Sequence, residues 1–161
     1  MGAEGSARAI AAITAAGVAH TVTRHGPVHS LEEAAAERGM EPRDIVKTLV
    51  VRRGEDDFLF VLVPGDREIS WPKLRGLFGA SRLSMPDAQA AKDATGYERG
   101  TITPFGSSRA WPVVADHTVT GRAISLGGGG HGVALNADGS DVIRALAAQV
   151  ADVTDPRASG P

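Results

Sequence analysis

Lys47 is the single charge in Ile45-Val46-Lys47-Thr48-Leu49-Val50-Val51, an otherwise apolar and partly β-branched run. An ammonium in such surroundings needs a counter-charge, a wet cleft or an anionic ligand, because an isolated buried charge is costly. A lysine that guards a sheet edge or snorkels to solvent would also satisfy the pattern, and the strand alone leaves both readings open. A second candidate is the stretch Gly96-Tyr97-Glu98-Arg99-Gly100-Thr101-Ile102-Thr103-Pro104-Phe105-Gly106, whose three glycines, proline and two aromatics describe a shaped loop that can offer backbone N–H groups to a ligand. A third is Gly127-Gly128-Gly129-Gly130-His131-Gly132, a turn over which a ligand could approach the backbone closely, with His131 as its one titratable group.

Several chemistries are excluded. The glycine run satisfies G-x-G-x-x-G only trivially and joins two strand candidates, so a dinucleotide fold does not follow. Val133 and Ala134 stand where a nucleotide-hydrolysing phosphate loop needs Lys and Ser or Thr. His25 and His29 are spaced as helical metal ligands would be, but Pro27 lies between them and no further ligand is evident, so no metal is expected. No G-x-S-x-G elbow surrounds any serine. The chain has no cysteine, which removes thiol nucleophiles, thiolate metal sites and disulfides and agrees with a reducing, cytosolic setting. A formal net charge of -2 argues against coating DNA by bulk electrostatics. The absence of a long apolar run argues against a membrane span.

The elements that would position these residues follow from periodicity and turn chemistry. With 161 residues, 42% of them hydrophobic, the chain suits one domain with a real core. The Lys47 strand should return through Gly54 to Asp57 into Phe58–Val63 as a hairpin with a longer loop. Helices are predicted from Ser6 to Ala16, Ser30 to Arg38, Trp71 to Phe78, Pro86 to Ala94 and Ser140 to Val150, from caps, terminal glycines and apolar stripes. Short strands are predicted at 19–23, 80–83, 111–115, 122–126 and 133–136. Residues 1–155 then form one α+β domain on a curved, barrel-like mixed sheet flanked by helices, and 156–161 form a flexible tail.

Val46-Lys47-Thr48-Leu49-Val50-Val51, followed about fifty residues later by Thr95-Gly96-Tyr97 and Gly100-Thr101-Ile102-Thr103-Pro104-Phe105-Gly106, resembles the YbaK family. Members are aminoacyl-tRNA deacylases related to the editing domain inserted in bacterial prolyl-tRNA synthetases, and the likeness runs over nearly the whole chain. It implies a free-standing hydrolase of mischarged tRNA. Lys47 and Gly100 would be central to activity, and His131 matches a histidine of some branches. Tyr97, Thr101, Ile102, Thr103, Pro104 and Phe105 would shape the pocket with Gly127, Gly128 and Gly129. An aminoacyl ester is already activated, so no cofactor or metal is implied, only positioning and donors for an oxyanion. The implied partners are the 3′ acceptor end of an aminoacyl-tRNA and a prolyl-tRNA synthetase. Gly127, Gly130 and His131 replace the serine and two basic residues of the branch specific for cysteinyl-tRNA(Pro), so alanine, cysteine and serine stay open as the residue removed. A non-catalytic tRNA- or synthetase-binding module and a small-molecule esterase are the rival readings.

Overall fold

The computed structural model describes residues 2–26, 33, 35–36 and 39–157. Strands β2 (Ile45–Gly54) and β3 (Asp57–Pro64) are its spine, and their aliphatic and β-branched composition suits a pleated surface covered on both sides. Side-chain alternation sends Val46 and Val50 with Phe58, Phe60 and Leu62 into one core cluster, and Val51 with Leu59, Val61 and Val63 into another. The hairpin is tighter than predicted. Gly54 pairs with Asp57, so Glu55 and Asp56 alone make the turn, and Asp56 takes φ 54°, a region that Asp tolerates better than most residues.

Five further strands are β1 (His20–Arg24), β5 (Val113–Asp116), β6 (Ala123–Gly127), β7 (Val133–Asp138) and β8 (Gln149–Ala151). With the spine they form a seven-stranded mixed sheet in the order β1-β7-β6-β2-β3-β5-β8, while β4 (Arg67–Ile69) and β9 (Thr154–Pro156) pair separately. Helices α1 (Gly2–Ala15), α2 (Trp71–Phe78), α3 (Ala88–Thr95) and α4 (Gly139–Leu146) flank the sheet. The α+β class with a mixed sheet and flanking helices is as predicted. So is the α2 start, where the Ser70 side chain accepts from the Lys73 N–H, and its end, where Gly79 takes φ 60°.

Differences cluster where long-range pairing outweighs local pattern. The strand predicted at 80–83 is replaced by one bridge between Ser84 and Arg52. The helix predicted from Pro86 starts instead at Ala88, because Asp87 caps it by accepting from the Ala90 N–H. The last helix stops at Leu146, since Ala147 takes φ 50° and residues 149–151 instead pair with β5 as β8. Residues 156 and 157 do not trail: Pro156 pairs with Arg67, and the Arg157 N–H donates to the Asp66 carbonyl. The Pro27–His29 loop and the Ser30 cap lie outside the described residues, although Glu33, Ala35 and Ala36 are helical.

Candidate functional site

The site begins with a mismatch in strand length. β2 runs parallel to β6 for only two residue pairs, Ile45 with Ser125 and Val46 with Leu126, after which β6 ends at Gly127 and β2 continues. Further along, Arg52 donates to and accepts from Ser84 on that same edge, at 2.7 and 3.2 Å. Thr48 and Val50 share the backbone orientation of Arg52, so their N–H and C=O groups face the gap between these two attachments. A cavity of about 650 Å³ fills the gap. Its walls are Ile45 to Val50, the segment Met85 to Ala88 with Ala91 of α3, the loop residues Arg99, Gly100 and Ile102, and Gly127.

The loop wall is held by its own hydrogen bonds. The Thr101 hydroxyl and N–H both donate to the Glu98 carbonyl, and the Thr101 carbonyl accepts from the Gly129 N–H at 2.9 Å. The buried Tyr97 hydroxyl donates to the Phe105 carbonyl at 2.6 Å, and the Phe105 N–H donates to the Thr103 hydroxyl. By contrast, the N–H groups of Gly100 and Ile102 have no acceptor among the described residues, and both residues border the cavity. Gly127 must be glycine here, since a Cβ would lie 2.9 Å from the Ile102 carbonyl oxygen.

The Lys47 side chain is half-buried, and its ammonium makes no hydrogen bond or ion pair among the described residues. Burial pushes its pKa below the usual lysine value; the positive Arg157 adds to this and Glu68 opposes it. By strand parity Lys47 belongs with Leu49 and Val51 on the side of the second core cluster, whereas Ile102, Tyr97 and Phe105 pack in the first. It nevertheless borders the cavity, because the hollow wraps the unpaired edge of β2 and takes in every residue from 45 to 50. The Thr48 hydroxyl is also buried without a partner among the described residues.

A second recess of about 140 Å³ lies behind the same loop, lined by Glu4, Gly5 and Arg8 of α1, by Lys92, by Gly96 to Glu98 and Thr101, and by Gly129 to His131. His131 faces this recess, 71% exposed, with Nε2 3.3 Å from a Glu98 carboxylate oxygen. It does not line the cavity with Lys47.

Of the residues singled out in the sequence, Lys47, Gly100, Ile102 and Gly127 therefore meet in the cavity, and Tyr97, Thr101, Gly129 and His131 meet in the recess. Thr103, Pro104, Phe105 and Gly128 line neither. The Pro104 carbonyl accepts from Ser107, Thr103 and Phe105 are buried braces, and the Gly128 N–H pairs with the Val133 carbonyl. The sequence reading missed the contribution of Met85 and Asp87, and that of Arg8. Ala88 and Ala91 carried the only available signal, small residues three apart on a helix that approaches a sheet.

Residues 25–145 match the family model described as "Aminoacyl-tRNA editing domain". The chain is 35% identical over 92 residues to the proline–tRNA ligase of Thermosipho africanus, covering 57% of this chain and 16% of the ligase. It is 31% identical over 105 residues to that of Bacillus licheniformis, covering 65% of this chain and 18% of the ligase. It thus spans less than a fifth of the length of these relatives. Among solved structures it is similar to hypothetical protein APE2540, with TM-score 0.81, 28% identity and 89% and 96% of the two chains covered. It is also similar to a candidate trans-editing enzyme for prolyl tRNA synthetase, with TM-score 0.83, 26% identity and 93% and 97% covered. With a strand-edge cavity bordered by Lys47 and the Gly100 loop, and with three quarters of its length matched, the chain belongs to the aminoacyl-tRNA editing domain family.

Proposed function

We propose that the protein deacylates mischarged aminoacyl-tRNA in trans, removing a small amino acid, with alanine, cysteine and serine as the candidates and tRNA(Pro) as the expected carrier. The observation that carries this reading is the company kept around one cavity: Lys47, whose half-buried ammonium has no partner among the described residues, and Gly100 and Ile102, whose N–H groups have no acceptor among them. Polar groups that the fold leaves to water at a cavity wall are available to a ligand that displaces that water.

In this reading the ester carbonyl lies against Gly100 to Ile102, and the two free N–H groups donate to the oxygen as negative charge develops on it. Water adds to the carbonyl carbon, the carbon–oxygen bond to the terminal ribose breaks, and the ribose oxygen regains a proton. Lys47 holds the terminal ribose or its phosphate, and its affinity for that anion benefits from the low hydration of the cleft. Ala88, Ala91 and Ile102 bound the space for the acyl side chain. Selection by exclusion suits the task, because a hydrophobic pocket gains only about 1–3 kcal/mol per methylene in direct discrimination. His131, outside the cavity, is placed to meet the tRNA end beyond the ester, as is Lys92.

The test is a deacylation panel of Ala-, Cys- and Ser-charged tRNA with wild type and Lys47→Ala. Release of at least one amino acid by the wild type and its loss in the folded variant is the expected result. Salt-sensitive tRNA binding without turnover across the whole panel would make the protein a binding module instead.

A further inference from the structure

Helix α1 touches both segments that frame the candidate site, although no residue of α1 lines the cavity. Gly5 packs so tightly on the glycine turn that a Cβ there would lie 2.1 Å from the Gly129 carbonyl oxygen. One turn later, Arg8 reaches across to the loop. Its Nη2 donates to the Gly96 carbonyl at 3.1 Å and its Nε to the Gly106 carbonyl at 3.3 Å, while its guanidinium lies 4.7 Å from the centre of the Tyr97 ring.

Gly96 and Gly106 are the two ends of the loop, and both sit in the left-handed region, at φ 79° and 75°. These are pivots that a backbone can turn about at little cost. Between them the loop carries Gly100 and Ile102 into the cavity wall, and Tyr97 ties its near end to Phe105 at its far end. A planar guanidinium presents several donors in a fixed fork, so one side chain can fix the spacing of two carbonyls; a lysine, with one compact ammonium, cannot do so in the same geometry.

We propose that Arg8 is a positioning residue which, by bridging the Gly96 and Gly106 carbonyls, holds the 96–106 loop in the register that presents the Gly100 and Ile102 N–H groups to the substrate. The proposal rests on the deacylase reading for its catalytic consequence and on geometry alone for its structural one. Arg8 is exposed, so its truncation leaves neither a core void nor a buried orphan charge, and the released carbonyls can turn to water. The effect is therefore local to the loop. Since a misplacement of about 1 Å can cost ~10²-fold in rate, it falls on turnover more than on binding.

Two measurements on Arg8→Gln and Arg8→Lys test this. Amide hydrogen exchange should quicken about tenfold or more at residues 97–107 in both variants, with the β2–β3 amides unchanged. On whichever mischarged tRNA the wild type cleaves, kcat should fall about tenfold or more with KM within about threefold, and millimolar guanidinium should restore part of kcat to Arg8→Ala but not to Lys47→Ala. Unchanged loop exchange, or kcat within twofold of wild type, would overturn the proposal. So would loss of protection spread evenly over β2 and β3, which would make Arg8 a residue of global stability. If the wild type cleaves no charged tRNA, the deacylase reading fails by itself and the exchange comparison still decides whether Arg8 holds the loop.

Discussion

Two polar regions of the molecule treat their hydrogen bonds in opposite ways. Around Asp116, at the end of β5, every group is engaged. The buried carboxylate accepts from the Val153 N–H at 3.1 Å, the Thr118 N–H at 3.2 Å and the Thr118 hydroxyl, and Arg67 Nε stands 3.8 Å away. Nearby, Lys73 Nζ contacts Asp152, Asp155 and the Thr154 carbonyl at 3.0–3.1 Å. Around the cavity, the Lys47 ammonium, the Thr48 hydroxyl and the N–H groups of Gly100 and Ile102 have no hydrogen-bonding partner among the described residues. Polar groups paired within the protein fasten a fold, whereas groups left to water at a cavity wall can exchange that water for a ligand, so the first region reads as a fastening and the second as a receptor.

The largest effect that could break this contrast is at Lys47. Lys47→Ala is expected to lower kcat/KM for deacylation by about 10²-fold or more, as the loss of a charge-assisted contact in a partly dehydrated cleft implies. Its stability should be equal to or above that of the wild type. The sign follows from the depressed pKa: folding disfavours the charged lysine, so the wild type gains stability as pH rises from the lowered value towards the usual one, and the variant lacks that gain. Thermal melts from pH 8 to 11 would check it, and a marked loss of stability in Lys47→Ala would move Lys47 to the fastening side.

Asp116→Asn should do the reverse, with activity retained and about 1–3 kcal/mol of stability lost at neutral pH, as expected when a buried hydrogen-bonded acceptor is weakened. Burial pushes the Asp116 carboxyl up, but the hydrogen bonds from Thr118, Val153 and Thr154 outweigh it and hold the pKa below the usual carboxylate range. Its contribution is thus present above the ordinary Asp value and lost as pH falls through the lowered one. Melts between pH 2.5 and 7 should show a shallower acid decline in the variant.

Gly100→Ala tests the loop wall itself. The residue has φ 87° and nothing within 4 Å of an added Cβ, so the substitution strains the backbone without a clash. Single-turnover deacylation should slow about tenfold, with a stability cost of about 1–2 kcal/mol. The smallest effect is expected at His131, exposed and behind the loop. His131→Ala should raise KM about threefold to tenfold with little change in kcat, and a kcat loss matching that of Lys47→Ala would merge the two recesses into one reacting centre.

The parts of this arrangement that were legible in the sequence are those encoded locally. The Lys47 run and its return strand, the Ser70 cap with Gly79, and the irregular 96–106 loop each carry their signal within a dozen residues. The cavity does not, because it exists only where β6 falls short of β2, and strand lengths depend on partners found elsewhere in the chain. The apolar stripe of the last helix pointed on to Val150, yet pairing with β5 claimed 149–151 and left Val150 exposed. The Arg8 contacts join residues 88 and 98 positions apart, for which an exposed arginine in an alanine-rich helix gives no sign.

The brief parallel contact between Ile45–Val46 and Ser125–Leu126 also has a consequence for how the molecule comes into being. It unites segments about eighty residues apart, and such distant pairings are entropically slow to form. A nascent chain or a partly folded one can hold the β2–β3 hairpin without yet owning the hollow beside it. Competence therefore waits on this closure and is lost wherever it opens, whatever becomes of the hairpin itself.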